Sequence, residues 1–170
     1  MHLPLNGKRA IVTASTTGLG LAIVIGLVQA GAEVVLNGRS QAHVDEAFRQ
    51  VREALPAARL IGVAADLSTD QGIQTLIERV PHTDILVNGL AVAQVCATSL
   101  ARHYAQGMVA RNWGRLVFLC AKRELKTLVR GMGETLASTG VRVDAVVPGV
   151  AEQVATRVVD LAAVGVQPLC

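Results

Sequence analysis

The sequence predicts an α/β fold: a doubly wound parallel sheet of about six strands with helices on both faces. Three observations carry this expectation. Short β-branched runs alternate with helical stretches along the 170 residues. The runs, EVVL at 33–36 and DILV at 84–87 among them, are nearly unbroken Val, Ile and Leu, as suits strands covered on both sides. The first run passes, in AIVTASTTGLG at 10–20, into hydroxyls and then two glycines, the form of a strand turning straight into a helix. Strands joined through helices pair in parallel by right-handed crossovers, and the order 3-2-1-4-5-6 is expected.

Taken in order, Lys8–Thr13 reads as the first strand and Gly18–Ala30 as a long apolar helix closed by Gly31. Glu33–Leu36 is a second strand, ending at Asn37-Gly38-Arg39. Ser40 is placed to cap an amphipathic helix over Gln41–Leu55, which Pro56 stops. A third strand at Arg59–Ala64 leads through Asp66-Leu67-Ser68 into a helix over Asp70–Val80. Asp84–Val87 is a fourth strand, Thr98–Arg111 a helix and Arg115–Leu119 a fifth strand. Glu124–Ser138 is helical up to Gly140, Val141–Val147 is a sixth strand ending at Pro148-Gly149, and Glu152–Ala162 is the last helix. The connections are short, without linker or repeat, so the chain reads as one domain over residues 1–170.

Composition narrows the function classes. Apolar residues make up 51% with a mean hydropathy of +0.44, while aromatics are 2%: Phe48, Tyr104, Trp113 and Phe118. The net charge of +3 is scattered, so the basic groove and stacking platforms of nucleic-acid binders are missing. Cys96, Cys120 and Cys170 show no paired spacing and read as reduced thiols of a cytoplasmic protein. The four histidines stand apart, and no metal site is expected. Residues 10–32 carry no charge, but Thr13, Ser15, Thr16 and Thr17 interrupt them and Gly18–Val28 is too short to span a bilayer.

In a doubly wound sheet the ligand lies beyond the carboxyl ends of the strands, where strand order reverses. That point falls between the first and fourth strands, beside residues 14–20 and 88–91. The helix starting near Gly18 aims its free N–H groups and dipole there, which favours an anion. Gly18 and Gly20 allow backbone to approach a diphosphate and helix to approach sheet. Ala14 occupies a place where a third glycine is usual. If that residue needs a positive φ, its Cβ costs on the order of 1 kcal/mol.

TASTTGLG resembles the TGxxxGxG turn of the short-chain dehydrogenases/reductases, with Ala14 at the first glycine. Ala65-Asp66-Leu67 is similar to the family's acidic position, which implies that Asp66 holds the adenine amino group. DILVNGLA at 84–91 resembles the DILVNNAG segment and retains Asn88; HYAQGMVARNWGRLVFL at 103–119 and TGVRVDAVVPG at 139–149 are similar to later family segments. The resemblance implies a Rossmann-type fold, a nicotinamide cofactor, oxidation or reduction of a small carbonyl or alcohol substrate, and a homo-oligomer. The end of the second strand has no acid for the ribose hydroxyls of NAD(H), whereas Arg39 can pair with a 2′-phosphate, so NADP(H) is favoured. The cofactor is expected on Ser15, Thr16, Gly18, Leu19, Gly20, Arg39, Asp66 and Asn88.

Family chemistry uses a tyrosine with a lysine four residues on, one helical turn away, and a serine beside them. The sole tyrosine, Tyr104, is followed at that spacing by Met108, and aligns with a packing position. Leu119-Cys120-Ala121 stands where the serine belongs, and Lys122-Arg123-Glu124 already opens the next helix. Lys122 is the candidate for the active-site lysine by position, or else a solvated cation. The stretches at 92–99 and after Gly149 are also shorter than in the family. Three readings stay open: a nucleotide-binding chain without turnover, an oligomer-forming scaffold, or framework segments of a longer reductase joined end to end.

Overall fold

The computed structural model describes residues 3–89, 92–120 and 123–165. One sheet holds β1 (Arg9–Val12), β2 (Glu33–Gly38), β3 (Leu60–Ala64), β4 (Ile85–Asn88), β5 (Gly114–Leu119) and β6 (Val141–Val146). Every pairing is parallel and the order is β3-β2-β1-β4-β5-β6, the one expected. Between the strands run α1 (Gly18–Gln29), α2 (Gln41–Ala54), α3 (Asp70–Arg79), α4 (Gln94–Ala110) and α5 (Arg123–Thr135), and α6 (Ala151–Ala163) follows β6.

Alternation along the strands builds two cores, one per face. Ala10, Val12, Val34, Leu36, Ile85, Val87 and Val117 face α1, α2 and α6. Ile11, Val35, Val63, Leu86, Leu116 and Phe118 face α3, α4 and α5. In α1 the apolar residues go all the way round, because the helix lies between the sheet and α6. Gly26 sets that approach: a Cβ there would stand 3.3 Å from Val159 Cγ2. In α2 the buried residues Val44, Ala47 and Val51 keep the three- and four-residue spacing of a one-sided helix. Ser40 caps it, accepting from His43 N–H, and Gly31 ends α1's turn at a φ of 99°.

Three boundaries differ from expectation by more than one residue; α5 ends at Thr135, three residues before the expected Ser138. Strand β2 continues through Asn37 and Gly38, because both find register partners on β3, Val63 and Ala64. Helix α4 begins at Gln94, four residues before the predicted start, since Ala97 already packs into the second core. The residues read as a shortened loop are therefore largely helix.

Tyr104 lies in that core, 2% exposed, and its hydroxyl donates to Val80 O at 2.7 Å, tying α4 to the end of α3. Burial pushes its phenol pKa above the ordinary value of 10.0. At the amino-terminal end of the sheet, buried Arg115 donates to the carbonyls of Gly114, Gly140 and Val164 and lies 4.2 Å from the centre of the Trp113 ring. Burial lowers its pKa, so main-chain dipoles and the ring hold the charge in place of a carboxylate.

The folded protein keeps Tyr104 neutral where the unfolded chain ionises it, so its contribution to stability is complete below about pH 10 and lost above it. Tyr104→Phe leaves Val80 O unpaired and should cost about 1–2 kcal/mol at neutral pH. It should also flatten the alkaline limb of stability in urea titrations run from pH 8 to 11.

Candidate active-site crevice

The turn between β1 and α1 is held from both sides. On one side Asn37, 2% exposed, accepts the Ala14 N–H on Oδ1 at 3.1 Å and donates Nδ2 to Val63 O and Ala65 O, both at 3.2 Å. Its main chain accepts Ser15 N–H and donates to Ser15 Oγ. On the other side Thr13 Oγ1 accepts the Gly89 N–H at 2.9 Å, and Thr13 N–H donates to Val87 O. The carboxyl ends of β1, β2, β3 and β4 are thus bonded to one another around the start of α1.

Glycine is required here by space as well as by φ. A Cβ on Gly20 would lie 2.5 Å from Ala14 O, and one on Gly89 would lie 2.6 Å from Thr13 O. Gly18 has a φ of 55° and nothing within 4 Å of an added Cβ, so its outer face is open. Ala14 itself adopts a φ of 50°, the left-handed conformation whose cost falls on an alanine and not on a glycine.

The sequence-predicted residues converge on this crevice with different roles. Ser15 is fully buried and turned inward: its hydroxyl donates to Val12 O at 2.7 Å, so it shapes the turn and presents nothing to a ligand. Thr16 rests its methyl group over Gly38, where a Cβ would come within 2.4 Å. Gly18, Leu19 and Gly20 form the first turn of α1. Its cap residue, Thr17, makes no side-chain bond to that turn, and the turn holds no acid. Its amide N–H groups are therefore available to an anion.

Arg39 is exposed at the end of β2 and, among the described residues, makes no ion pair. Asp66, at the end of β3, accepts Ser68 N–H and Oγ–H on one carboxylate oxygen at 3.0 and 2.7 Å. These two bonds, with the nearby Arg39 charge, hold its carboxyl below the ordinary value of 3.8. Asn88 is 2% exposed, and neither its Oδ1 nor its Nδ2 has a hydrogen-bond partner among the described residues. Lys122 lies outside the described residues.

Three contributors escaped the sequence reading. Asn37, placed at a strand end, is the main tie of the turn; a lone buried amide in an apolar run was the available signal. Thr13, a strand residue by its pattern, accepts the Gly89 N–H. Gly72 allows the start of α3 to lie against Asp66, whose main-chain oxygen would be 1.8 Å from an added Cβ.

The residues present fit a dinucleotide carrying a diphosphate: an uncapped helix start, an open glycine face, a buried amide without a partner among the described residues, and an exposed arginine near a carboxylate. No helix among the described residues is long and apolar enough to cross a membrane.

Two variants test the turn. Ala14→Gly should raise stability by about 1 kcal/mol by relieving the left-handed alanine, whereas Gly20→Ala, with its Cβ against Ala14 O, should lower it by at least about 2 kcal/mol. Urea midpoints at constant slope measure both. For Asp66, removal of one hydroxyl bond by Ser68→Ala should raise the carboxyl pKa toward 3.8, read from its 13C carboxyl shift. The wild-type carboxylate's contribution to stability is present above that value and is lost as pH falls through the lowered one.

Known proteins share this fold. A family model described as short chain dehydrogenase matches residues 8–112. An uncharacterized oxidoreductase of Bacillus subtilis, YvaG, is 28% identical over 185 residues, covering 88% of this chain and 70% of its own. A second from the same organism, YvrD, is 31% identical over 188 residues with the same coverage. The crystal structure of L-sorbose reductase from Gluconobacter frateurii, complexed with NADPH and L-sorbose, matches with a TM-score of 0.77 at 26% identity, covering 88% of this chain and 72% of that one. By fold, by turn and by these relatives, the chain belongs to the short chain dehydrogenase family of oxidoreductases.

Proposed function

We propose that this protein binds NADP(H) in the crevice above β1 and β4, and that it carries out carbonyl–alcohol exchange poorly or not at all. The observation that carries the reading is the uncapped, acid-free start of α1 beside the unpaired Arg39. A diphosphate would lie against the N–H groups of Gly18, Leu19 and Gly20. Arg39 would pair with the 2′-phosphate, where NAD(H) offers only a hydroxyl. Asp66, ionised at all ordinary pH values, would accept from the adenine amino group with the oxygen that Ser68 leaves free. Asn88 would find its missing partner at the floor of the crevice. The L-sorbose reductase relative, solved with NADPH, supports this choice of cofactor.

When bound, the nicotinamide supplies or takes a hydride, and the alkoxide that forms needs a proton from the protein. Tyr104 is not that donor: its hydroxyl is buried, engaged by Val80 O and held well above its ordinary pKa. Cys120, the residue where a serine was sought, is buried, and burial raises its thiol pKa. The reading places the protein in the cytoplasm, with Cys96 and Cys120 as free thiols.

A second reading, an oligomer-forming scaffold, has one observation in its favour. A groove of about 1210 Å³ runs between α4 and α5, lined by Val109, Leu128 and Met132 among others. In α5 Val129 is the buried residue, so most of that helix lacks cover.

Titration of the full chain with NADPH and NADH decides between the two readings. Saturable binding that favours NADPH, weakened roughly tenfold by Arg39→Ala with NADH unaffected, is the expected result. No binding of either cofactor would overturn the nucleotide reading and leave the scaffold. Hydride transfer to small carbonyl compounds in the same samples should stay near background.

A further inference from the structure

A cavity of about 390 Å³ opens at the other end of β1 from the nucleotide crevice, where β1, β2, β3 and β4 begin. Its walls carry four cationic side chains, Lys8, Arg9, Arg59 and Arg111, against two carboxylates, Glu33 and Asp84. The chain as a whole has a net charge of +3, so this one place holds most of the excess. No apolar side chain lines the cavity.

Both carboxylates are engaged by Arg9. Glu33 Oε1 accepts from its Nε at 2.6 Å, and Asp84 Oδ2 accepts its main-chain N–H at 2.9 Å. The other Asp84 oxygen stands 4.0 Å from Arg111 Nε, too far for a hydrogen bond. The remaining cations are held by neutral groups. Arg111 donates Nη2 to Thr83 O at 2.9 Å and folds back over Gly107, where an added Cβ would lie 2.9 Å from its Nη1. Arg59 donates to Gly31 O at 2.6 Å. Lys8 Nζ rests 4.0 Å from the centre of the Trp113 ring and, among the described residues, pairs with no carboxylate. A carbonyl or a ring orients such a charge without neutralising it. The last carbonyls of α1 and α4, which also reach this side, already accept from main-chain N–H groups at 30–32 and 111–113.

We propose that this cavity binds a small hydrophilic phosphate monoester as its dianion. Lys8 and Arg111 hold the phosphate, the one as a point charge and the other through the free side of its planar fork. Gly7, at a φ of 81°, lines the same cavity and has an N–H that no described residue accepts. A volume of 390 Å³ lies in the range of small-ligand sites and leaves room beyond the phosphate for an organic part. A lining without apolar side chains suits a hydroxylated part over an apolar one. The site is separated from the dinucleotide crevice by the length of β1, and the proposal does not rest on that crevice being occupied.

The test is a titration of the isotope-labelled full chain with glycerol phosphate, and with succinate beside it, at constant ionic strength. Amide shifts locate the binding, and the fluorescence of Trp113, the sole tryptophan, reports on Lys8. Glycerol phosphate should give saturable shifts at Gly7, Lys8 and Thr83 and should change the fluorescence as Lys8 leaves the ring. Lys8→Gln and Arg111→Gln should each weaken binding about tenfold. Arg142→Gln, which removes an equal charge from β6, and Arg39→Ala at the nucleotide crevice should leave the affinity unchanged, and the amide spectra confirm that each variant is folded. Shifts that never saturate, or that are confined to Gly18, Leu19 and Gly20, would overturn the proposal. So would succinate binding as tightly as glycerol phosphate, or an Arg142→Gln chain that loses as much affinity as Arg111→Gln.

Discussion

The buried amide of Asn37 is the constraint on which the rest of the crevice depends. It accepts from the main chain at Ala14 and donates to two carbonyls at the end of β3, so one side chain joins three strand ends. Without Asn37 the Ala14 N–H and Ala65 O would lose this partner, and a buried main-chain group left unpaired costs about 1–3 kcal/mol. The same bonds fix the unusual φ of Ala14, because its N–H is held toward β2 while Ser15 is anchored to Val12 and Asn37. An alanine is retained in a glycine conformation because its surroundings leave it no other.

From that knot the geometry of the site follows. With the turn fixed, α1 must begin at Gly18, and its first amides face outward with no internal partner. Thr13 and Gly89 bring the end of β4 to the same place, so the orphaned Asn88 amide and the helix start belong to one crevice. Arg39 and Asp66 stand at its rim because β2 and β3 end there together, in register through Gly38 and Ala64. The framework bonds are main-chain and close-packed, and Tyr104, whose buried hydroxyl is engaged by Val80 O, belongs to that framework.

The outer half of the sheet is organised differently. Where β1 and β4 are covered on both faces, α5 and β6 are only partly covered, and their charges and apolar residues meet solvent. Buried Arg115, at the start of β5, donates to the carbonyls of Gly114, Gly140 and Val164 and so ties β5 to the residue before β6 and to the end of α6. The crevice beyond β1 and β4 and this outer half thus lie in different parts of one sheet.

The sequence by itself determined the strand count, the parallel order and the glycine turn at the start of α1. Runs such as ILVN at 85–88 have no polar face, so they must be covered on both sides, and helices between them leave parallel pairing as the way to do it. The turn TASTTGLG was legible because glycines there answer to local space and φ. Tertiary structure decided what local pattern does not contain. Asn37 became a tie because β3, reached 26 and 28 residues later, supplies its acceptors, and Ser15 turned inward because Asn37 meets it. Helix α4 started early because Ala97 found a core to enter. Each of these depends on contacts between residues far apart in the chain, and spacing along a sequence carries no record of which distant group will be there.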